Sequence, residues 1–447
     1  MRDEPRAGRL PGAMVAAGAY ARTLWLGRTL RTRAALEGWQ AERVRRWLQA
    51  HALAVPALAP LAADARRHGL DALPVIDKAG LLARFADYNR LGLDADEARR
   101  MADEGRAPPG HAVGTSTGTT GPRAPYIVSD RERYRWLGTL LAKALPDAPF
   151  RRHRVAVVLP RSSGLYDAAN ASRALRLLFV PTGEGLPAVR AALERFDPTV
   201  IVAPPHALRW LAERDTALAP SRVFSAAEVL DPVDRAVIGA GFGGAALGEI
   251  YMATEGLFAV TCAHGTLHLA EDRVLFELEP AGDGLVSPLV SPIVTDFSRR
   301  AQIMARYRMN DLLRLAPEPC PCGSPLRAVL SVEGRRDDAF DLPARGGAGG
   351  RATVLPDVPR DAVVGARGAG DARATDFRVV QAGEREVVLL LPPEASDVAE
   401  ATATRLRDAL AGAGADAVVR VAIGPLPPPD GKLRRVERRW RAGGAGN

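Results

Sequence analysis

Apolar positions recur along this chain at two different periods, and the change from one to the other divides it. Through residues 1–100, alanine, leucine and arginine repeat at helical spacing. That pattern predicts helices over 13–38 and 41–53, with Pro56, Pro60 and Pro74 punctuating the next stretch. Farther on, Leu137, Leu140, Leu141, Ala144 and Leu145 fall at i, i+3, i+4, i+7 and i+8. Residues 130–145 therefore read as a helix with one buried face, ended by Pro146. Short β-branched or apolar runs come next at 155–159, at 177–180 (stopped by Pro181) and at 200–203, with a helical pattern at 187–196 among them. Short apolar strands alternating with helices predict α/β layers whose strands are buried on both faces. Further strands are expected at 222–224, 248–251, 267–269 and 274–278.

Composition shifts at Gly334, and residues 342–372 are rich in Gly, Pro, Ala and Arg, as linker-like connections are. Beyond them, strands are expected at 377–380, 387–391 and 417–423, with a helix at 397–410 capped by Ser396. These elements make a small α+β domain of roughly 100 residues, a plausible autonomous size. The expected fold class is α/β. A large multilayer N-terminal domain with mixed β-sheets and helices spans 1–333 and is helical over 1–100. A small α+β C-terminal domain spans 334–447. The Gly-rich end, 443–447, is expected to be disordered.

The 447 residues are enough for two or three domains and a large core, and an apolar fraction of 47% with 25% charged residues is ordinary for a globular protein. The net charge of +8 comes mainly from arginines spread through an Ala/Arg/Gly/Pro-rich chain, which is a compositional bias. With 5% aromatic residues and no basic–aromatic runs, no nucleic-acid partner is expected, while a modest attraction to acidic partners stays open. Three cysteines do not make a disulfide framework, so a reducing, cytoplasmic compartment is expected. The apolar stretch 14–26 is broken by Arg22 and is too short to span a bilayer, so no membrane span is expected.

Five stretches carry candidate chemistry. Thr115-Ser116-Thr117-Gly118-Thr119-Thr120-Gly121-Pro122-Arg123 holds no large apolar side chain. Glycines that let backbone N–H groups converge, added hydroxyls and a terminal cation describe a phosphate cradle. The spacing is not that of a Walker loop, and a polar surface loop is equally open. Tyr251-Met252-Ala253-Thr254-Glu255-Gly256 places a carboxylate and a hydroxyl after a strand, which suits a Mg²⁺–phosphate site or an ordinary turn. In Tyr307-Arg308-Met309-Asn310-Asp311, the aspartate could accept two ribose hydroxyls or simply face solvent. Glu333-Gly334-Arg335-Arg336-Asp337-Asp338 reads as a hinge or a solvated turn. Pro429-Asp430-Gly431-Lys432-Leu433-Arg434-Arg435 reads as a lysine on a glycine turn or a basic tail.

In this order, the five stretches resemble the adenylate-forming superfamily of acyl-CoA, aryl-CoA and carrier-protein ligases. That family shows a Ser/Thr-Gly-Thr-Thr-Gly loop, then Tyr-Gly-x-Thr-Glu, Tyr-Arg-Thr-Gly-Asp, Gly-Arg-x-Asp-Asp and a late Gly-Lys. Further stretches resemble the phenylacetate–CoA ligase branch and its short coenzyme-F-synthetase-related members. They include Ser225-Ala226-Ala227-Glu228, Pro292-Ile293-Val294-Thr295-Asp296 and Cys320-Pro321-Cys322-Gly323-Ser324. The chain departs from the family in its shorter loop before Arg123, and in Met252 and Asn310 where many members have Gly.

The resemblance implies a role for each motif. Residues Thr115 to Gly121 with Arg123 would wrap the ATP triphosphate. Ala227 and Glu228 would lie by the adenine, and Tyr251 would pack on its ring. Thr254 would contact phosphate or the acid's carboxylate, and Glu255 would hold Mg²⁺. Asp311 would bind the ribose with support from Arg335. Asp337 would be the hinge of a mobile C-terminal domain that carries Lys432 into the site. The implied activity is adenylation of a carboxylic acid, aryl or arylacrylic, with loss of pyrophosphate. The acyl group would then pass to coenzyme A or to the phosphopantetheine of an acyl-carrier protein. The acid pocket is expected in 202–205 and 251–258. Two rivals stay open: adenylylation of a phenolic hydroxyl on a deazaflavin-type coenzyme, and a non-catalytic nucleotide-binding protein. Separately, Cys262, His268, Cys320 and Cys322 make a possible tetrahedral structural zinc set, with His264 as a competing ligand and free buried thiols as the alternative.

Overall fold

The computed structural model describes residues 12–50, 55–116, 123–159, 175–214, 217–281, 289–346, 349–365, 376–427 and 432–441. The helix predicted at 13–38 is two helices, Gly12–Thr29 and Arg33–Ala50. The break falls at 30–32, where the Thr32 hydroxyl accepts the Ala35 N–H at 3.2 Å and caps the second helix. The apolar period runs through this break because Leu26 and Leu36 are both turned inward, at 2% and 0% exposure. The separate helix expected at 41–53 is the second half of Arg33–Ala50, and residues 51–53 lie outside the described residues. The helix Asp130–Ala144 begins with a capping box between Ser129 and Glu132. It lies against Gly12–Thr29 with backbones touching, since a Cβ on Gly138 would sit 2.0 Å from the Ala16 carbonyl oxygen. Among the described residues, no helix is long and apolar enough to cross a membrane.

Twelve described strands form one mixed sheet. From one edge the order is Val274–Pro280, Leu289–Asp296, Asp311–Leu315, Ala328–Arg335, Leu267–Leu269, Gly256–Thr261, Ala246–Ala253, Arg222–Ala226, Val200–Ala203, His153–Leu159 and Leu175–Pro181, with Tyr307–Arg308 paired to Leu289–Asp296. The pairings from Ala246–Ala253 through to Leu175–Pro181 are parallel. Those on its other side are antiparallel. The strand Ala246–Ala253, which carries Tyr251, is therefore where the sheet changes character. Helices Leu186–Phe196, Pro205–Ala212 and Pro232–Gly241 cover one face of the parallel half around Leu193, Leu208 and Ile238.

A separate hydrophobic cluster runs from Phe340 to Val436. Its sheet has the order Val418–Ile423, Glu386–Leu391, Arg378–Gln381 and Val436–Arg438, covered by helices Asp357–Gly365 and Ala399–Gly412. The strand Ala328–Arg335 belongs to the large sheet and carries the chain up to this second body. Two expectations are corrected here. Much of 342–372 is ordered structure, because Phe340–Pro343 pairs with Arg351–Val354 and the helix Asp357–Gly365 follows. Leu342, Val354 and Val363 are inward-facing, at 0%, 1% and 0% exposure, and give these short elements a core that the Gly/Arg content hides. Ser396 does not cap a helix. Pro393–Val398 is a 3₁₀ turn, and the α-helix starts at Ala399 without a side-chain cap. Residues 443–447 lie outside the described residues.

Candidate active site

Open α/β sheets bind ligands outside the carboxyl ends of parallel strands, where the strand order switches. Here that switch lies between His153–Leu159 and Val200–Ala203, and the strand Arg222–Ala226 ends on the same carboxyl edge one strand farther along. Directly after Arg222–Ala226, Ala227 adopts a left-handed backbone with φ of 71°, which turns the chain sharply into Glu228. A cavity of about 150 Å³ lies against this turn, and its walls include Tyr251, Asp311, Arg335 and Lys432. A larger cavity of about 520 Å³ lies around the helix Arg33–Ala50 and contains none of the motif residues.

Strand register sets the geometry of the smaller cavity. Asp311 and Arg335 are cross-strand partners, with Arg335 Nε 3.7 Å from Asp311 Oδ1. The other Asp311 oxygen accepts the Tyr251 hydroxyl at 2.6 Å. Burial, and then the Asp311 charge, push the Tyr251 phenol well above its ordinary range, so it stays a donor. The Tyr251 ring is further held by Phe258 at 5.4 Å. Glu228 Oε2 lies 2.9 Å from His206 Nδ1, and Glu228 Oε1 accepts the Leu433 N–H at 3.2 Å. Lys432 thus enters beside Glu228. Burial and then the Arg335 charge hold its ammonium below the ordinary lysine range, while Asp311, Glu228 and Glu255 pull it back up.

Thr254 and Glu255 form a two-residue connection between Ala253 and Gly256, which are paired to each other. Glu255 accepts the Thr254 hydroxyl at 2.9 Å and faces the Tyr307 hydroxyl at 3.4 Å. The Thr254 carbonyl is fixed by the fully buried Arg299 at 3.2 Å. A half-buried carboxylate beside a hydroxyl in a tight turn offers the hard oxygen donors that Mg²⁺ takes. Thr254 and Glu255 stand next to the smaller cavity, not in its wall. Of the expected acid-pocket segments, 251–253 line that cavity and 202–205 do not.

Thr115 ends the strand His111–Thr115. Ser116 closes a hairpin neck, its N–H donating to the Ala124 carbonyl at 2.8 Å and its hydroxyl accepting the Ala124 N–H at 3.1 Å. The Arg123 carbonyl accepts Arg99 Nε at 3.0 Å. Thr117, Gly118, Thr119, Thr120 and Gly121 lie outside the described residues.

The four metal-ligand candidates come together, with all donor atoms within 4.8 Å of one another. Cys262 Sγ lies 3.8 Å from Cys320 Sγ, and Cys322 Sγ lies 3.4 Å from His268 Nε2. Two thiolates bound at about 2.3 Å to a tetrahedral zinc would stand about 3.8 Å apart, so the set fits that ion. His268 Nδ1 sits 3.0 Å from the Leu326 carbonyl, which fixes its proton there and leaves Nε2 free for a metal. The competitor His264 is exposed and outside the set.

Three residues that brace the site had no motif signal. His206 comes from the helix Pro205–Ala212, and Asp231 and Asp234 bind Arg435. Asp338, which ends the Glu333–Asp338 stretch, binds Arg434 at 3.2 Å. Burial raises the Asp338 carboxyl to about 6 even beside Arg434.

No protein-family model matches the chain, and no curated protein matches it in sequence. Solved structures do match. A crystal structure of 2-hydroxyisobutyryl-CoA ligase in the postadenylation state with 2-HIB-AMP aligns with a TM-score of 0.65. It is 16% identical and the alignment covers 91% of this chain and 89% of that one. An open conformation of that ligase with 2-HIB-AMP and CoA aligns at 0.54, with 17% identity over 90% of each chain. The amide bond synthetase McbA from Marinactinospora thermotolerans aligns at 0.53, with 15% identity over 73% of this chain and 68% of that one. The large mixed sheet with its small α+β companion is therefore the adenylate-forming ligase fold.

Proposed function

We propose that the chain is an ATP-dependent acid–thiol ligase. It adenylates a carboxylic acid with loss of pyrophosphate, then passes the acyl group to coenzyme A or to a carrier-protein phosphopantetheine. The observation that carries this reading is Lys432, partly buried in one electrostatic environment with Glu228, Glu255, Asp311 and Arg335. A carboxylate attacking an α-phosphate brings two anions together, and preorganised cations are the main help a protein can give. Lys432 would bridge the two anions, Asp311 and Arg335 would hold the ribose, and Ala227 and Glu228 would edge the adenine. Mg²⁺ on Glu255, with the Thr254 hydroxyl, would neutralise phosphate oxygens. The 115–123 loop would hold the triphosphate. Residues 334–447 would form a lid that brings Lys432 in for adenylation and withdraws it for thiol attack.

The resemblance to the phenylacetate–CoA ligase branch supports an aryl or arylacrylic acid. The 2-hydroxyisobutyryl-CoA ligase neighbours put small 2-hydroxy acids in the same test panel. Incubation with ATP, one acid and coenzyme A should yield AMP, pyrophosphate and thioester in equal amounts. An AMP adduct that forms with a phenol, and no thioester with any thiol, would replace this reading with phenol adenylylation.

Two further results are expected. Asp311→Asn removes a charged acceptor from Tyr251 and a partner from Arg335, so the ATP KM should rise roughly 10–100-fold. An unchanged KM would remove Asp311 from nucleotide binding. For pH, Lys432 works as a cation and its pKa lies below the ordinary 10.5. The kcat/KM, which reports the free enzyme, should therefore fall on the alkaline side with a midpoint below that value. In Lys432→Arg the slower rate should lose that limb, because guanidinium stays charged.

A further inference from the structure

The segment that carries Lys432 is tied down by one side chain three residues on. Arg435 is buried at 6% exposure and bonds carboxylates of both bodies. Its Nη1 bonds Asp231 and, at 2.6 Å, Asp234, while Nη2 bonds Asp234 at 2.9 Å. Its Nε bonds Asp376 at 3.1 Å, and its guanidinium lies 5.8 Å from the Phe377 ring. Asp376 and Phe377 lead into the strand Arg378–Gln381 of the small body. Asp231 and Asp234 open the helix Pro232–Gly241, just after the Ala227–Glu228 turn of the large body. Asp234 is itself fixed by Arg209 at 3.0 Å.

The chain at Lys432 is thus attached to the large body at two points just beyond it. Leu433 N–H meets Glu228, and Arg435 meets Asp231 and Asp234. Two attachments within three residues fix where the Lys432 backbone enters the cavity. Asp234 has a second partner, Arg209, on its own large body, so its position does not depend on Arg435 alone.

We propose that Asp231 and Asp234 form a catch for Arg435 that holds the small body in the arrangement delivering Lys432. Arg435 is then a positioning residue for adenylation and is not needed for acyl transfer to the thiol. This rests on the adenylation reading above. A buried ion pair of this kind adds little net stability over an apolar pair, but it is demanding in geometry, which suits a contact that must form in one arrangement only.

The test uses the full chain with Arg435→Met, Arg435→Lys and Asp231→Asn. Misplacing Lys432 should lower ATP–pyrophosphate exchange in Arg435→Met by about 100-fold. Arg435→Lys should recover part of that loss. Transfer from chemically supplied acyl-AMP to coenzyme A should stay within about threefold of wild type in all three variants. Independently of activity, hydrogen exchange in Arg435→Met should speed up at 432–435 and 228–231, and stay unchanged in strands 378–381 and 386–391. The catch is overturned if hydrogen exchange at 432–435 is unaltered, or if both half-reactions fall together in Arg435→Met and Asp231→Asn alike. No exchange reaction by the wild-type protein with any acid, together with the faster hydrogen exchange in Arg435→Met, would sink the adenylation reading and leave the catch standing.

Discussion

Lys432→Ala is expected to lower acid-dependent ATP–pyrophosphate exchange by about 10²–10³-fold, with ATP binding within about threefold of wild type. The size follows from where the ammonium sits. Lys432 is partly buried, so its charge acts on an anion entering the cavity through a dielectric lower than that of water. Burial and then the neighbouring Arg335 charge both disfavour this cation. An arriving acid and α-phosphate would reverse both effects, and most strongly as charge builds between them. That differential interaction is what accelerates a step, as opposed to tightening binding. ATP would keep its contacts to Asp311, Arg335 and the Ala227–Glu228 turn, so its affinity should hardly move. A variant that loses ATP affinity in step with rate would make Lys432 a binding residue.

Loss of the Cys/His cluster should be the largest effect on stability. We expect about one equivalent of zinc per chain, and stripping it or making Cys320→Ser should lower Tm by roughly 5–10 °C. The loop 316–327, which carries Cys320 and Cys322, has one buried residue, Cys320 itself. It has no apolar core to hold it, so a metal bridging to Cys262 and His268 would supply what packing does not. A metal there would be structural, because Cys262 follows the far end of the strand Gly256–Thr261, about 20 Å from the Glu255 turn at about 3.3 Å per residue. Adenylation measured well below Tm should therefore survive in Cys320→Ser. Protein that is metal-free as purified, and equally stable with Cys320→Ser, would leave these as ordinary thiols.

The grouping of the candidate residues was more legible than the scaffold. Each stretch alone also read as a turn, a solvent-facing loop or a basic tail, and only the order of all five singled out Glu255, Asp311, Arg335 and Lys432; of these, Asp311, Arg335 and Lys432 line one cavity. What brings them together was not legible. The pairing of Asp311 with Arg335 depends on strands Asp311–Leu315 and Ala328–Arg335, which mix Asp, Arg and Glu with leucine and valine and show no clean alternation. Gly256–Thr261 is buried from end to end and Leu289–Asp296 nearly so, and they too lack a period to read. Arg435 read as part of a basic tail because its partners, Asp231 and Asp234, stand about two hundred residues earlier. His268 was named ahead of His264 from the sequence, and strand pairing supplies the reason by turning His268 toward the cysteines. The split of 13–38 at 30–32 and the ordered elements within 342–372 show the same limit. Periodicity reports which face is buried, and composition reports flexibility only where no distant core claims the few apolar residues present.

Whether this site joins an acid to AMP can be read from ATP–pyrophosphate exchange, with purified protein and a panel of aryl, arylacrylic, fatty and 2-hydroxy acids. Exchange should require an acid, appear with at least one member of the panel and be lost in Lys432→Ala. Tight AMP binding with no acid-dependent exchange from any member of the panel would contradict the adenylation reading.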